Sequence, residues 1–300
     1  PSAECAGTIS AVGEGVTGWQ VGERVAAWLG YGAAREKVAV SADQLIRIPE
    51  RLDDAQAAGL FVTYGTAMHG LIQRAELKAG ETLAVLGASG GAGLAAVEIG
   101  ALLDAHVIAC ASSADKLALA REHGAQEEID YGRDDIRAEL KKLTEGRGVD
   151  VLYDTVGGEL AEPALRSMAW EGRYLVVGFP AGIPKIPLNL ALLNGCDIVG
   201  VFWGTAVSRD PVVGFAGGEI PKIPLNLLLL KGCDLRGVFW GQFVARDPAG
   251  HRRNMERLLD WAAGGHIRAH VHATIPLERW TEAYALIADR KAKGKIVLTL

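Results

Sequence analysis

Paired cysteines, long apolar runs and one-sided charge are all missing from this sequence, and each gap narrows the protein. The four cysteines, Cys5, Cys110, Cys196 and Cys233, are scattered with no C-x-x-C pair. Such spacing builds neither a disulfide framework nor a zinc knuckle, and it fits reduced thiols in the cytoplasm. No apolar stretch approaches the roughly 20 residues that span a bilayer. The start carries Glu4 and has neither a basic stretch nor an apolar run, so no signal peptide is expected. Net charge is −5 without a long run of either sign, which leaves no electrostatic footprint for nucleic acid or an anionic membrane.

What is present is an ordinary soluble composition, 49% hydrophobic and 22% charged over 300 residues, long enough for two domains. Residues 1–50 read as short strands broken by glycine: Gly7–Gly13, Arg24–Trp28 and Lys37–Val40. Residues 53–75 read as helix with an interruption near Thr63-Tyr64-Gly65. From Lys78 the pattern becomes strand-helix alternation. Strands are expected at 82–86, 106–110, 149–153 and 173–177, and helices at 90–103, 116–123 and 134–144. Gly124 and Gly146 stop the last two helices. This alternation predicts an α/β fold, a Rossmann-type doubly wound parallel sheet, beside a β-rich domain. The C-terminal part returns to mixed structure, with helices at 254–263 and 280–288 and strands at 270–275 and 295–300.

One segment is written twice. Residues 183–211 align on 220–248 at an offset of 37, with 22 of 29 positions identical. Val176-Val177-Gly178-Phe179 recurs as Val212-Val213-Gly214-Phe215, so the copies abut as 176–211 and 212–248. Two copies fall short of a solenoid. The unit reads as one strand-loop-strand piece of the sheet, duplicated.

The chemistry centres on Gly87-Ala88-Ser89-Gly90-Gly91-Ala92-Gly93, placed between a predicted strand and a predicted helix. Small residues at such a turn let the backbone approach a pyrophosphate, and the helix N-terminus offers free N–H groups to its charge. Ala88 stands where the first glycine of G-x-G-x-x-G would be. A tight turn that only packs helix on sheet shares this sequence, but the strand-turn-helix context favours a dinucleotide. At the end of the next strand an NAD enzyme usually carries Asp or Glu. Here stand Ala111-Ser112-Ser113, with Lys116 close behind and Asp115 only in the helix. Donors without a carboxylate at that strand end favour NADP(H); the serines would equally cap the following helix.

These residues, with Glu4-Cys5-Ala6-Gly7, Val12-Gly13, Val21-Gly22-Glu23-Arg24-Val25, Tyr64-Gly65-Thr66-Ala67, Asp154-Thr155-Val156-Gly157-Gly158, the repeated Gly-Val-Phe-Trp-Gly and Gly294-Lys295-Ile296-Val297-Leu298, resemble the zinc-independent medium-chain dehydrogenase/reductases. The likeness is to the NADPH:quinone oxidoreductase (ζ-crystallin-like) branch and covers nearly the whole chain. It implies a GroES-like substrate domain from 1–65 and 249–300, and an NADP-binding domain from 66–248. It implies cofactor contacts at Thr66, Ala88, Gly90, Gly91, Ala92, Gly93, Ser112, Ser113, Lys116, Tyr131, Thr155, Val156, Phe179, Val238, Phe239 and Lys295. Tyr64 and Thr66 are the candidates for polarising a substrate carbonyl. No nucleophile-base constellation is visible, and hydride transfer needs none, because the cofactor carries the chemistry.

Zinc is argued against by Ser2-Ala3-Glu4, where zinc enzymes place Gly-His-Glu. His270 and His272 fall on one face of a predicted strand, and they read better as polar surface than as metal ligands. The resemblance implies further strands before the segment matching Pro1, so the GroES-like domain reads as truncated. It also implies a homodimer through the Gly-Val-Phe-Trp-Gly edge strand. With two copies for one slot, one copy is expected to be displaced or to add strands at the sheet edge. The expected partner is a small quinone or enone, reduced by NADPH. An enoyl-thioester reductase, or a non-catalytic NADP-binding protein, are the alternatives.

Overall fold

The computed structural model describes residues 2–184, 186, 190, 196–201, 244 and 247–299. Two compact units emerge, one from residues 1–65 with 244–300 and the other from 66–243.

In the first unit, β1 (Glu4–Thr8), β2 (Arg24–Trp28) and β3 (Leu45–Arg47) form an antiparallel sheet in sequence order. The third strand is Leu45–Arg47, not 37–40. Ile46, 4% exposed, gives it a buried anchor opposite Ala26, whereas Lys37 and Ala39 are exposed. The first strand ends at Thr8 rather than running to Gly13. Helix α1 (Asp54–Met68) is unbroken through Thr63-Tyr64-Gly65. Thr63 remains helical with its hydroxyl donating to the Gly59 carbonyl at 3.0 Å, the usual accommodation of threonine inside a helix. The regular helix ends instead at Met68, where His69–Arg74 widens into a π-helix.

The first unit resumes with α6 (Pro248–Ala263), whose first turn is capped by the Asp247 carboxylate accepting from the Gly250 amide at 2.8 Å. Strands β10 (Val271–Pro276) and β11 (Lys295–Thr299) pair in parallel around helix α7 (Trp280–Ala288) in sequence. His270 precedes β10, and the register shifts between Val271 and Ala273 at His272. The two histidines therefore do not share a regular strand face. Among the described residues no three side chains of metal-binding type gather.

The second unit is built on six parallel strands among the described residues. They are β4 (Thr82–Leu86), β5 (His106–Ala111), β6 (Glu127–Asp130), β7 (Val149–Asp154), β8 (Met168–Val176) and β9 (Asp197–Gly200). Their order is β6-β5-β4-β7-β8-β9, the doubly wound arrangement. Every residue of β4 is buried, as expected of a central parallel strand covered on both faces. Around the sheet run α2 (Gly91–Leu102), α3 (Ala114–Glu122), α4 (Ile136–Leu143) and α5 (Ala161–Leu165). Strand β6 is absent from the pattern reading, since Glu127-Glu128-Ile129-Asp130 offers one apolar residue among three carboxylates. Its register, Ile129 beside Cys110 and Asp130 beside Ala111, comes from the tertiary ladder.

The first copy of the repeat supplies β9. Asp197, Ile198, Val199 and Gly200 pair with Arg173, Tyr174, Leu175 and Val176, and the Val201 amide donates to the Val176 carbonyl at 2.6 Å. Most of the second copy, including Val238 and Phe239, lies outside the described residues, as does Phe202-Trp203-Gly204 of the first. No helix among the described residues is long and apolar enough to cross a membrane.

Candidate functional site

Strand order reverses between β4 and β7, and ligands of open α/β sheets bind beyond the carboxyl ends of the strands at such a point. The glycine turn stands there. Both Gly87 and Ala88 amides donate to the Cys110 carbonyl, at 2.9 and 3.1 Å, which carries the chain off the end of β4 along β5. Gly87 takes φ +73°, so the turn's left-handed residue precedes Ala88, and Ala88 is fully buried without strain. A Cβ on Gly93 would lie 2.1 Å from the Gly87 carbonyl oxygen, so helix α2 packs onto the turn only with glycine there. Gly90 is the N-cap of α2 and no side chain caps the helix. The first N–H groups of a helix have no intrahelical acceptor. Here they open beside Gly91 and Ala92, which are half-exposed and carry no bulk.

The floor of the site comes from the loop after β7. Thr155 donates its hydroxyl to the Leu86 carbonyl at 2.7 Å, tying this loop to the residue before the glycine turn. Asp154, fully buried, accepts from the Val156 and Gly157 amides at 2.8 Å each and from the Tyr174 hydroxyl at 2.6 Å. Burial raises the Asp154 carboxyl above its ordinary range, against these three hydrogen bonds. Burial, followed by the Asp154 charge and hydrogen bond, holds the Tyr174 phenol well above its own. The 178–182 loop lies on the same floor: the Gly178 amide donates to the Asp154 carbonyl at 3.2 Å and the Ala181 amide to the Val156 carbonyl at 3.0 Å. A Cβ on Gly157 would meet the Phe179 ring at 3.1 Å, which brings Thr155, Val156 and Phe179 into one patch.

At the other end of the site, Lys116 donates from Nζ to Ser112 Oγ at 2.9 Å. Ser113 is the N-cap residue of α3 by position, but its hydroxyl makes no capping bond. Tyr131 joins the pair because β6 ends beside β5, and its amide donates to the Ala111 carbonyl at 3.0 Å. Burial raises the Tyr131 phenol, the Cys110, Asp154 and Asp130 groups add to this, and a hydrogen bond with Ser112 acts the other way. The phenol is therefore neutral and a donor near pH 7. A Cβ on Gly132 would lie 3.0 Å from the Ser112 carbonyl oxygen, so glycine lets this loop close onto the end of β5.

Two acids have hydrogen-bond roles that the sequence alone does not show. Asp130 stands at the end of β6, next to the serines, although β5 itself ends without a carboxylate. Its Oδ1 accepts from the Gly132 amide at 3.0 Å. Asp154 lies inside the unit, and burial of a polar residue at a strand end carries no sequence signal beyond interrupting an apolar run.

Two candidates are corrected. Tyr64 is 2% exposed and its hydroxyl donates to the Arg268 carbonyl at 2.9 Å within the first unit. A phenol so engaged does not polarise a substrate, and Tyr64 is withdrawn from that role. The Lys295 ammonium is paired with the Glu4 carboxylate, whose other oxygen accepts from the Val62 amide at 2.8 Å. Lys295 therefore serves the packing of the first unit rather than standing as an open cation. Thr66 is buried in α1.

Comparison with known proteins accords with this geometry. Residues 1–50 match the alcohol dehydrogenase GroES-like domain, and residues 91–211 match the zinc-binding dehydrogenase family. A quinone oxidoreductase-like protein 2 homolog of Nematostella vectensis is 33% identical over 301 residues, covering 99% of this chain and 72% of the relative. The chain belongs to the medium-chain dehydrogenase/reductases. Relatives that match over the whole length of the chain include quinone oxidoreductase-like proteins. The quinone oxidoreductase of Pseudomonas syringae superposes with a TM-score of 0.77 at 26% identity, over 99% of this chain and 81% of its own. The mycobacterial protein Rv1454c, solved in complex with NADPH, gives 0.78 at 25% identity, over 99% and 82%. The fold is thus a Rossmann-like parallel sheet with helices together with a GroES-like domain that includes residues 1–50.

Proposed function

We propose that this chain is an NADPH-dependent reductase of quinones or similar α,β-unsaturated carbonyl compounds. The observation that carries the reading is the cluster of Ser112, Lys116 and Tyr131 at the ends of β5 and β6, beside an uncapped helix N-terminus on a glycine turn. A cation and two hydroxyl groups suit the 2′-phosphate of NADPH. Asp130, the carboxylate that ends β6, is turned to a backbone amide. Gly90, Gly91, Ala92 and Gly93 then hold the pyrophosphate, while Thr66, Thr155, Val156 and Phe179 receive the nicotinamide half. Bound there, the nicotinamide supplies the hydride. The chain's own residues bind it, orient its reacting face and keep water away.

Zinc has no part in this reading. Ala3 stands where zinc enzymes carry the histidine of their Gly-His-Glu motif, and the carboxylate of Glu4 beside it is taken up by Lys295 and the Val62 amide. The likeness to quinone oxidoreductase-like proteins supports the substrate class.

The test is oxidation of NADPH by a small quinone such as 1,4-naphthoquinone, followed at the reduced-nicotinamide absorbance with NADH in parallel. Turnover with NADPH well above NADH is expected. Tight NADPH binding without turnover on any quinone or enone would leave a binding protein and overturn the enzyme.

A further inference from the structure

We propose that Asp154 and Tyr174 act together as positioning residues for the nicotinamide half of the cofactor, working through the Thr155-Val156 backbone. This rests on the NADPH reading above and adds to it a pair that touches no substrate.

The case begins with placement. Asp154 ends β7 and Tyr174 lies within β8, the strand beside it. Both side chains are fully buried. Burying a carboxylate is costly unless each oxygen is satisfied. Here Oδ1 receives two backbone N–H groups, from Val156 and Gly157, and Oδ2 receives the phenol of Tyr174. The Asp154 backbone carbonyl receives two more, from Val177 at 2.8 Å and Gly178 at 3.2 Å. One residue thus fixes the starts of both loops that form the floor beneath the nicotinamide half.

The coupling runs further. Thr155, held between Asp154 and Val156, donates to the Leu86 carbonyl at the foot of the glycine turn. The floor is thereby in register with the pyrophosphate turn. Among the described residues Tyr174 is the only side chain that donates to Oδ2, so its hydroxyl helps decide whether the carboxylate keeps its orientation. Without it, Oδ2 stays buried and the carboxyl does best by turning or taking up a proton. Either change loosens the two amide bonds that set Val156 and Gly157. The adenosine end is built from different residues, Ser112, Lys116 and Tyr131, and does not depend on those amides.

That separation supplies the test. Binding of NADPH and of 2′,5′-ADP, which carries only the adenosine half with its 2′-phosphate, is measured by titration on the wild-type chain, on Tyr174→Phe and on Asp154→Asn. Tyr174→Phe is expected to weaken NADPH about tenfold while 2′,5′-ADP stays within about twofold. Asp154→Asn keeps an oxygen for the two amides and an N–H for the Tyr174 oxygen, and is expected to retain most NADPH affinity. A general loss of folding would weaken both ligands alike, and that outcome, or unchanged NADPH binding in Tyr174→Phe, overturns the proposal. Should Asp154→Asn fail to fold, Tyr174→Phe alone decides. If the wild-type chain binds neither ligand, the NADPH reading itself falls, a result distinct from a selective loss in the variant.

Discussion

A Cβ placed on Gly87 would lie 2.5 Å from the Thr155 hydroxyl oxygen and 2.9 Å from a methyl of Val156. The turn after β4 and the loop after β7 thus touch at the point where strand order reverses, and glycine is what lets them meet. Gly87 also holds φ +73°, a conformation that costs an L-residue roughly 1–2 kcal/mol. Gly87→Ala should therefore lower the denaturation midpoint and weaken NADPH together. Gly90 offers the control, because it has φ −74° and its Cβ would meet only the Gly87 carbonyl oxygen at 3.4 Å. Gly90→Ala should cost less than about 1 kcal/mol of stability. Equal stability losses in the two variants would refute this account of the turn.

On the NADPH reading proposed above, cofactor choice rests on Lys116, which donates to Ser112 at 2.9 Å. A hydrogen bond to a charged group contributes about 1.5–3 kcal/mol. Lys116→Ala is expected to weaken NADPH tenfold or more and leave NADH nearly unchanged. Paired titrations of the two cofactors measure the ratio. A parallel loss of both would mean that Lys116 does not read the 2′-phosphate.

Sequence pattern and structure part company at identifiable places. Strands β4, β5 and β7 are legible because both their faces are buried, so apolar runs mark them. The glycine turn is legible because its backbone geometry admits few residues. Strand β6 is not, since a short edge segment with three acids owes its form to the β5 ladder. Tyr131 therefore reaches the site by family resemblance and not by periodicity. Hydrogen-bond partners are invisible to pattern, which is why Tyr64 reads as a candidate catalytic residue until its bond to Arg268 is seen. Asp154 is hidden for the same reason.

The duplicated segment raises a choice that burial answers. Val199 of the first copy is 2% exposed in β9. The matching residue of the second copy, 37 positions on, is Arg236. An arginine in that buried slot would lose its hydration, which favours the first copy there. Val199→Arg should destabilise the Rossmann-like unit by about 3 kcal/mol or more. Chemical denaturation reads this directly, and an unchanged midpoint would show that β9 does not depend on Val199.

His251, in α6, gives the first unit a dependence on pH. Burial, with the neighbouring Arg252 charge as a lesser cause, pushes its pKa down from 6.5 to about 4. The unfolded chain therefore takes up a proton near pH 6.5 that the folded chain refuses until about pH 4. The stability from keeping His251 neutral is complete above pH 6.5 and is lost as pH falls from 6.5 toward 4. At pH 5 the loss amounts to about 2 kcal/mol. His251→Gln removes the titration but not the burial, so its stability should change less between pH 7.5 and pH 5 than the wild-type value by about that amount. Denaturant titrations of both proteins at the two pH values give the comparison. If the wild-type and variant curves shift in parallel on acidification, the histidine is not the group responsible, and other titrating groups must account for the acid sensitivity of this unit.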